Sequence, residues 1–300
     1  MSNNFEIIEN EFIGGKCAII KTALTNNLIE ELSKQNIEIV RLSVSLGWKV
    51  ESIDTLLSEM QLKGLEIYTW GEKLDISLVS NQTRLELLSI DFIPRKKINL
   101  ESFVYLKQLF VSDCTKVTGF NSLSKLESVN IDKYPYEDLD FLSGLKNLKK
   151  LALTSKKLTS LSGISNLKNL EKVDLFKCSY LQEVNSLEVL LNLTTLEINN
   201  CKSISKIETL PISLSRLIIE DCGKLENCRF IEDLEMLEDF CFIGDSLFAN
   251  GDLSPIANLG QLKKIAIADK KHYSHTSIQI RNIINKRNKG GVIATLKKLF

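Results

Sequence analysis

The chain has 300 residues, with 38 Lys+Arg against 38 Asp+Glu and 44% hydrophobic side chains, a balance that fits a soluble globular protein. No apolar run approaches the roughly 18 residues that a transmembrane helix needs. Met1–Glu11 is polar and acidic and lacks the basic and apolar regions of a signal peptide.

At the N-terminus, Glu11–Ile13 and Cys17–Ile20 flank Gly14-Gly15, which predicts a hairpin or turn. Leu28, Ile29 and Leu32 at helical spacing predict a helix over Asn26–Ser33. A second helix is expected over Glu51–Met60, with Ile53, Leu56, Leu57 and Met60 on one face. From Ile37 onward one pattern recurs eleven times: an apolar residue, two others, an apolar residue, one other, an apolar residue. The first positions are Ile37, Leu62, Leu85, Leu106, Leu126, Leu148, Leu170, Leu193, Leu214, Leu237 and Leu262, at steps of 20 to 25 residues. In Leu148–Thr154, Leu151 and Leu153 alternate with Lys150, Ala152 and Thr154, which puts the two sets on opposite faces of a short strand. One strand cannot bury its leucines alone; the next repeat stacked ~4.8 Å away gives a parallel sheet with the leucines inside. Eleven coils at that spacing make an arc roughly 50 Å long. Each coil then returns across the back: Leu158, Leu161, Ile164 and Leu167 follow at steps of three and point into the same core. The early backs are expected to be helical, the later ones short extended or 3₁₀ segments. Thr276–Arg287 predicts a capping helix, with Thr276 or Ser277 as cap and Ile280, Ile283 and Ile284 inward. Gly290-Gly291 is expected to break it before a strand-like Val292–Leu296.

From Ile37 to Lys270 the chain resembles the leucine-rich-repeat family. Cys114, Cys178, Cys201 and Cys222 fall at the ninth repeat position, where Tyr134, Lys156, Asp245 and Lys270 stand in other coils. The cysteine-bearing coils are similar to repeats of plant resistance proteins and of bacterial intracellular repeat proteins, and the 22-residue coil holding Lys156 is similar to the internalin type, a mixed subtype. The resemblance implies an α/β fold: a right-handed solenoid with a parallel sheet on the concave face, a short helical or irregular convex side, and capped ends. It divides the chain into an N-terminal cap (1–36), the repeats (37–270) and a C-terminal cap (271–300). The seven cysteines are an odd number, and without a secretory signal they are expected to be thiols in a reducing cytosol.

Little in the sequence points to chemistry. Gly14-Gly15-Lys16 lacks the rest of a phosphate loop and reads as a turn. His272 and His275 have only Asp269 nearby, and Cys222 and Cys228 have no second pair, so neither set predicts a metal site. The sequons at Asn81 and Asn192 carry no weight without secretion. Neither histidine lies inside the repeats, so no nucleophile–base pair is expected on the sheet. No cofactor, metal, catalytic residue or small-molecule substrate is predicted.

What remains is the outward face of the sheet. The residues expected to form a partner-binding surface are Tyr68, Phe110, Asp132, Lys150, Asp174, Phe176, Glu197, Arg216, Glu220 and Asp239, aromatic anchors set among charges. Residues 262–300 hold ten Lys/Arg and one acid, Asp269, which leaves 28 basic and 37 acidic residues in 1–261, a net of −9. Residues 220–239 alone carry eight acids against Lys224 and Arg229, which suits a basic partner by steering. The basic tail has no interleaved aromatics for stacking on bases, so nucleic acid is not expected, nor is a membrane. The expectation is a non-catalytic, cytoplasmic protein-binding module, a monomer when free. The alternative is an immunity- or antitoxin-like inhibitor that masks a toxin or effector; an enzyme on a repeat scaffold comes third.

Overall fold

Alternation leaves two apolar residues of every repeat on one side of a short strand, and the strands pair so that these residues leave water together. The computed structural model describes residues 4–298, with side chains to 287. Thirteen strands follow one another in chain order. They are β1 Phe5–Glu9, β2 Lys16–Ile20, β3 Ile39–Ser43, β4 Gly64–Tyr68, β5 Leu87–Ile90, β6 Gln108–Val111, β7 Ser128–Ile131, β8 Lys150–Thr154, β9 Lys172–Phe176, β10 Thr195–Asn199, β11 Arg216–Glu220, β12 Asp239–Ile243 and β13 Lys264–Ile267. The chain divides into two compact units, Met1–Pro135 with Gly144–Leu151, and Tyr136–Ser143 with Ala152–Phe300; β8 begins in the first and ends in the second. Every inner strand residue of the eleven repeats is buried, the most exposed being Ile265 at 8%.

In the first unit, β1 and β2 form an antiparallel hairpin, and the strands from β2 to β7 pair in parallel. Cys17–Ile20 pairs with Phe5–Glu9, not with Glu11–Ile13, which forms the turn. Asn10 explains the turn: its side-chain oxygen accepts the N–H groups of Phe12 and Ile13, both at 3.0 Å. Gly14 and Gly15 follow at φ +67° and +95°, a region that favours glycine. The register also shows that β2 precedes the repeats, with Ala18 and Ile20 beside Val40 and Leu42. Helix α1, Asn26–Lys34, is capped by Thr25, whose Oγ1 accepts the Leu28 N–H at 3.2 Å. Helix α2, Asp54–Glu59, is shorter than Glu51–Met60. The Ser52 hydroxyl accepts the Asp54 N–H at 3.2 Å and the Glu51 carboxylate accepts the Leu24 N–H at 2.6 Å, so both lie outside the helix.

In the second unit, β9 to β13 are parallel, with inner residues level from strand to strand. The backs contain 3₁₀ turns at Ile164–Asn166, Asn185–Val189 and Arg229–Ile231. β12 replaces the leucines by Phe240 and Phe242, and Phe242 stacks on Phe248 at 3.9 Å. A short helix, α3 Ser254–Asn258, precedes β13. Helix α4, Ser277–Lys298, is capped reciprocally: Thr276 Oγ1 accepts the Gln279 N–H at 3.2 Å and Gln279 Oε1 accepts the Thr276 N–H at 2.7 Å. Ile280 and Ile284 are buried, whereas Ile283 is half-buried. The helix continues through Gly290-Gly291, so Val292–Leu296 is helical rather than a strand. Glycine costs about 1 kcal/mol in a helix but does not forbid it.

Cys178, Cys201 and Cys222 are buried side by side in the coil turns of the second unit. Cys201 Sγ accepts the Cys178 N–H at 3.3 Å, and in the next coil but one Ser246 Oγ accepts the Cys222 N–H at 2.9 Å. In two coils without the cysteine the buried residue of this turn is Ser155 or Ser246 rather than Lys156 or Asp245, and in another Tyr134 itself is buried. The seven cysteines are all free. Burial pushes the Cys222 thiol up to about 12, which makes it a poor nucleophile near neutral pH. Labelling with a bulky disulfide reagent should therefore show one fast thiol, the half-buried Cys241, with the others reacting only on unfolding. Fast native labelling of Cys178 or Cys222 would contradict this packing. Cys222→Ala should cost about 1–2 kcal/mol in a denaturant titration.

Candidate functional site

The repeat sets parallel strands side by side within each unit. Its inward positions form the core, so any contact with another molecule rests on the side chains that point away from it. These differ sharply between the two units.

In the first unit the outward face is largely covered by the chain itself. The turn Asn10–Ile13 lies over it: Asn10 Nδ2 donates to Glu66 Oε1 at 2.9 Å, and the Phe12 ring lies 5.0 Å from Phe110. Gly64 leaves the space this needs, since a Cβ there would come within 2.8 Å of Ile39 Cγ2 and 3.4 Å of Ile13 Cδ1. Cys17, Ile39 and Leu87, all outward in register, are buried as a consequence. Glu66 is wholly buried and paired with Arg41, whose Nη2 lies 2.9 Å from Oε2. The Tyr68 hydroxyl donates to the same carboxylate at 2.9 Å, and the Ser89 hydroxyl donates to Tyr68 at 3.1 Å. Tyr68 and Phe110 are thus half-buried partners of the hairpin turn and its network rather than free anchors. Asp132 is exposed at the rim of a shallow groove of about 270 Å³ that Tyr68 and Phe110 also line. Lys150 is exposed at the start of β8.

In the second unit the outward face is open and ordered by charge. Register places Lys172 beside Thr195, Asp174 beside Glu197, and Phe176 beside Asn199. Lys172 Nζ lies 3.1 Å from Asp174 and 3.2 Å from Glu197. Arg216 reaches Glu197 at 3.9 Å and Asp239 at 2.7 Å. Asp174, Glu197, Arg216 and Asp239 are therefore brought into one alternating chain, with Lys172 as the hub that sequence reasoning left out. Glu220 accepts the Asn199 amide at 2.7 Å, one row away. Phe176 stands at the end of its strand, 40% exposed, with Lys177 Nζ 4.7 Å over its ring. Burial raises the Asp174 carboxyl above its ordinary value, Lys172 opposing it. Asp174 Oδ1 is buried and, among the described residues, has no hydrogen-bond partner, an unsatisfied acceptor beside an exposed aromatic ring.

Cys241 lies on the same face between Ile218 and Ala266, its thiol raised by burial. His272 Nε2 lies 2.9 Å from the Phe248 carbonyl, and His275 Nδ1 lies 2.8 Å from the Ser274 hydroxyl. Among the described residues, no group of three or more His, Cys, Asp or Glu is placed to hold a metal ion. No helix is long and apolar enough to cross a membrane. The acidic run 220–239 is split: Glu220 and Asp239 face outward from the sheet, while Glu232, Glu235 and Glu238 line a groove in the loops that lead into the strands.

No family model matches the chain, and no curated protein does. Among solved structures it is similar to the internalin InlF of Listeria monocytogenes, at 18% identity over 85% of this chain and 87% of that one, with a TM-score of 0.48. Internalin C2 of the same organism matches at 18% identity over 71% of this chain and 83% of that one, with a TM-score of 0.47. A leucine-rich-repeat protein of Leptospira interrogans matches at 14% identity over 90% and 88%, with a TM-score of 0.44. So distant a likeness says nothing of what this chain binds.

Proposed function

We propose that the chain is a non-catalytic protein-binding module that engages a basic protein partner through the outward sheet face of its second unit. The observation that carries this reading is the pairing of an exposed Phe176 with a partly exposed Asp174, whose buried Oδ1 has no hydrogen-bond partner among the described residues. A partner that covers the ring and donates to the carboxylate would gain an aromatic anchor and a charge-assisted hydrogen bond at one place. Glu197 and Glu220 supply negative charge beside it, and their ion pair and amide contact hold them in place for docking.

The test is to capture the partner by affinity and titrate it against variants. Phe176→Ala should change thermal unfolding little, because the side chain stands 40% exposed at the end of its strand, and should weaken binding by about 1–3 kcal/mol. Glu197→Lys and Glu220→Lys should slow association and flatten its dependence on salt. If all of these bind as the wild type does, the outward face is not the contact surface.

A further inference from the structure

Leu191, Ile212 and Met236 break the pattern of the repeat. Each lies one or two residues before the first apolar position of its coil, at Leu193, Leu214 and Leu237. Neighbouring coils carry polar residues there: Ser124-Lys125, Lys146-Asn147 and Lys168-Asn169. These positions point to water, so a polar residue is expected and an apolar one needs a reason. The three apolar residues remain 70%, 62% and 61% exposed. In the first unit the corresponding Val104 and Tyr105 are less exposed, 49% each, and Lys125 Nζ lies 4.4 Å over the Tyr105 ring. In the second unit Leu191, Ile212 and Met236 line an open groove of about 740 Å³.

The charge around that groove has one sign. Glu188, Asp233 and Glu235 rim it, and among the described residues no basic one lines it. A second groove of about 920 Å³ shares Glu235 and Met236 and adds Glu232, Glu238 and Asp252; Arg229 is the one cation among the described lining residues, and Lys263 pairs with Glu238 at 2.6 Å. An apolar floor with an acidic rim fits a ligand that is apolar on one side and basic on its flanks. We propose that this face, apart from the outward sheet face, docks a basic amphipathic helix of a partner protein. The length agrees: Leu191 and Met236 are two coils apart, roughly 10 Å at sheet spacing, and apolar residues at i and i+7 of a helix are also roughly 10 Å apart. An i, i+3, i+7 stripe would set one apolar side chain on each coil, with lysines or arginines facing the carboxylates.

The probe is a fluorescent 18-residue helical peptide of leucines and lysines, with a leucine–glutamate peptide as control, measured by anisotropy. The Leu/Lys peptide should bind wild type and release with added salt. The triple variant Leu191→Ser, Ile212→Ser, Met236→Ser should weaken it at least tenfold, and so should Asp233→Lys with Glu235→Lys, which keeps the apolar floor. Both should melt as wild type does, since every substituted side chain lies at the surface. Glu197→Lys with Glu220→Lys, on the outward face, should bind the peptide normally, which separates this surface from the one proposed above. The proposal is overturned if the groove variants bind like wild type, if the outward-face variant loses the peptide instead, or if the Leu/Glu peptide binds equally well. It is also overturned if wild type self-associates through the groove, shown by a mass in sedimentation that the triple serine variant returns to monomer.

Discussion

Leu196→Asp should abolish folding of the second unit. Leu196 is fully buried in β10 and lies level with Val173 on one side and Leu217 on the other. Neither Val173 nor Leu217 has a side-chain donor, so the new carboxylate would be either an unpaired buried charge or a protonated group with unmet hydrogen bonds, at a cost of several kcal/mol. The lost leucine packing adds about 2–5 kcal/mol, the range for Leu→Ala in a core. The sum rivals the whole stability of an ordinary domain, roughly 5–15 kcal/mol. Coils of a solenoid support only their neighbours, so the loss should spread outward from β10. Circular dichroism melting and hydrogen exchange would show it; a variant that melts like wild type would mean that the strand faces are assigned the wrong way round. Leu196→Ala should fold but melt earlier.

Arg41→Ala is expected to destabilise the first unit by about 3–5 kcal/mol, the usual result of removing one partner of a buried ion pair. Glu66 would keep the Asn10 amide and the Tyr68 hydroxyl but lose the only cation on its carboxylate within salt-bridge distance among the described residues. The hairpin turn is tied to that carboxylate, so amide exchange should rise first at Asn10–Gly15. Replacing the pair together, Arg41→Met with Glu66→Leu, should recover part of the loss, because no charge is orphaned, but not all of it, because the Asn10 amide and the Tyr68 hydroxyl lose their acceptor. If the double variant is as unstable as the single one, the pair matters for the geometry it imposes rather than for its charge.

The repeat was legible wherever one face of a strand meets water. Lys150, Ala152 and Thr154 alternate with Leu151 and Leu153, and the alternation names the core directly. β1 was not legible: Phe5–Glu9 is an antiparallel edge outside the repeat period, mostly half-buried or exposed. The covering of Tyr68 and Phe110 did have a signal, the loss of alternation. Cys17–Ile20 and Leu87–Ile90 are apolar or small at consecutive positions and are buried on both faces, as parallel strands covered on both sides are. The alternating ion-pair chain from Asp174 to Asp239 needed the register of β9–β12, because its pairs between strands join Lys172 to Glu197, Glu197 to Arg216 and Arg216 to Asp239, far apart in sequence. The exposed apolar residues Leu191, Ile212 and Met236 stand in plain sight in the sequence, but only beside the polar residues of equivalent coils do they become conspicuous.

The N-terminal turn acts as a ruler for the stack beneath it. Asn10 grips Glu66 on β4 while Phe12 rests against Phe110 on β6, so the turn spans a fixed number of coils. Excising a whole repeat between those two strands would leave every leucine in phase, yet it would carry Phe110 out of reach of Phe12. The described contacts of β9–β13 include no such strap, only links between adjacent coils. Coil number is therefore dictated by the hairpin in the first unit and set by little more than nearest-neighbour stacking in the second, which makes the second the place where repeats can be gained or lost and the length of its outward face changed.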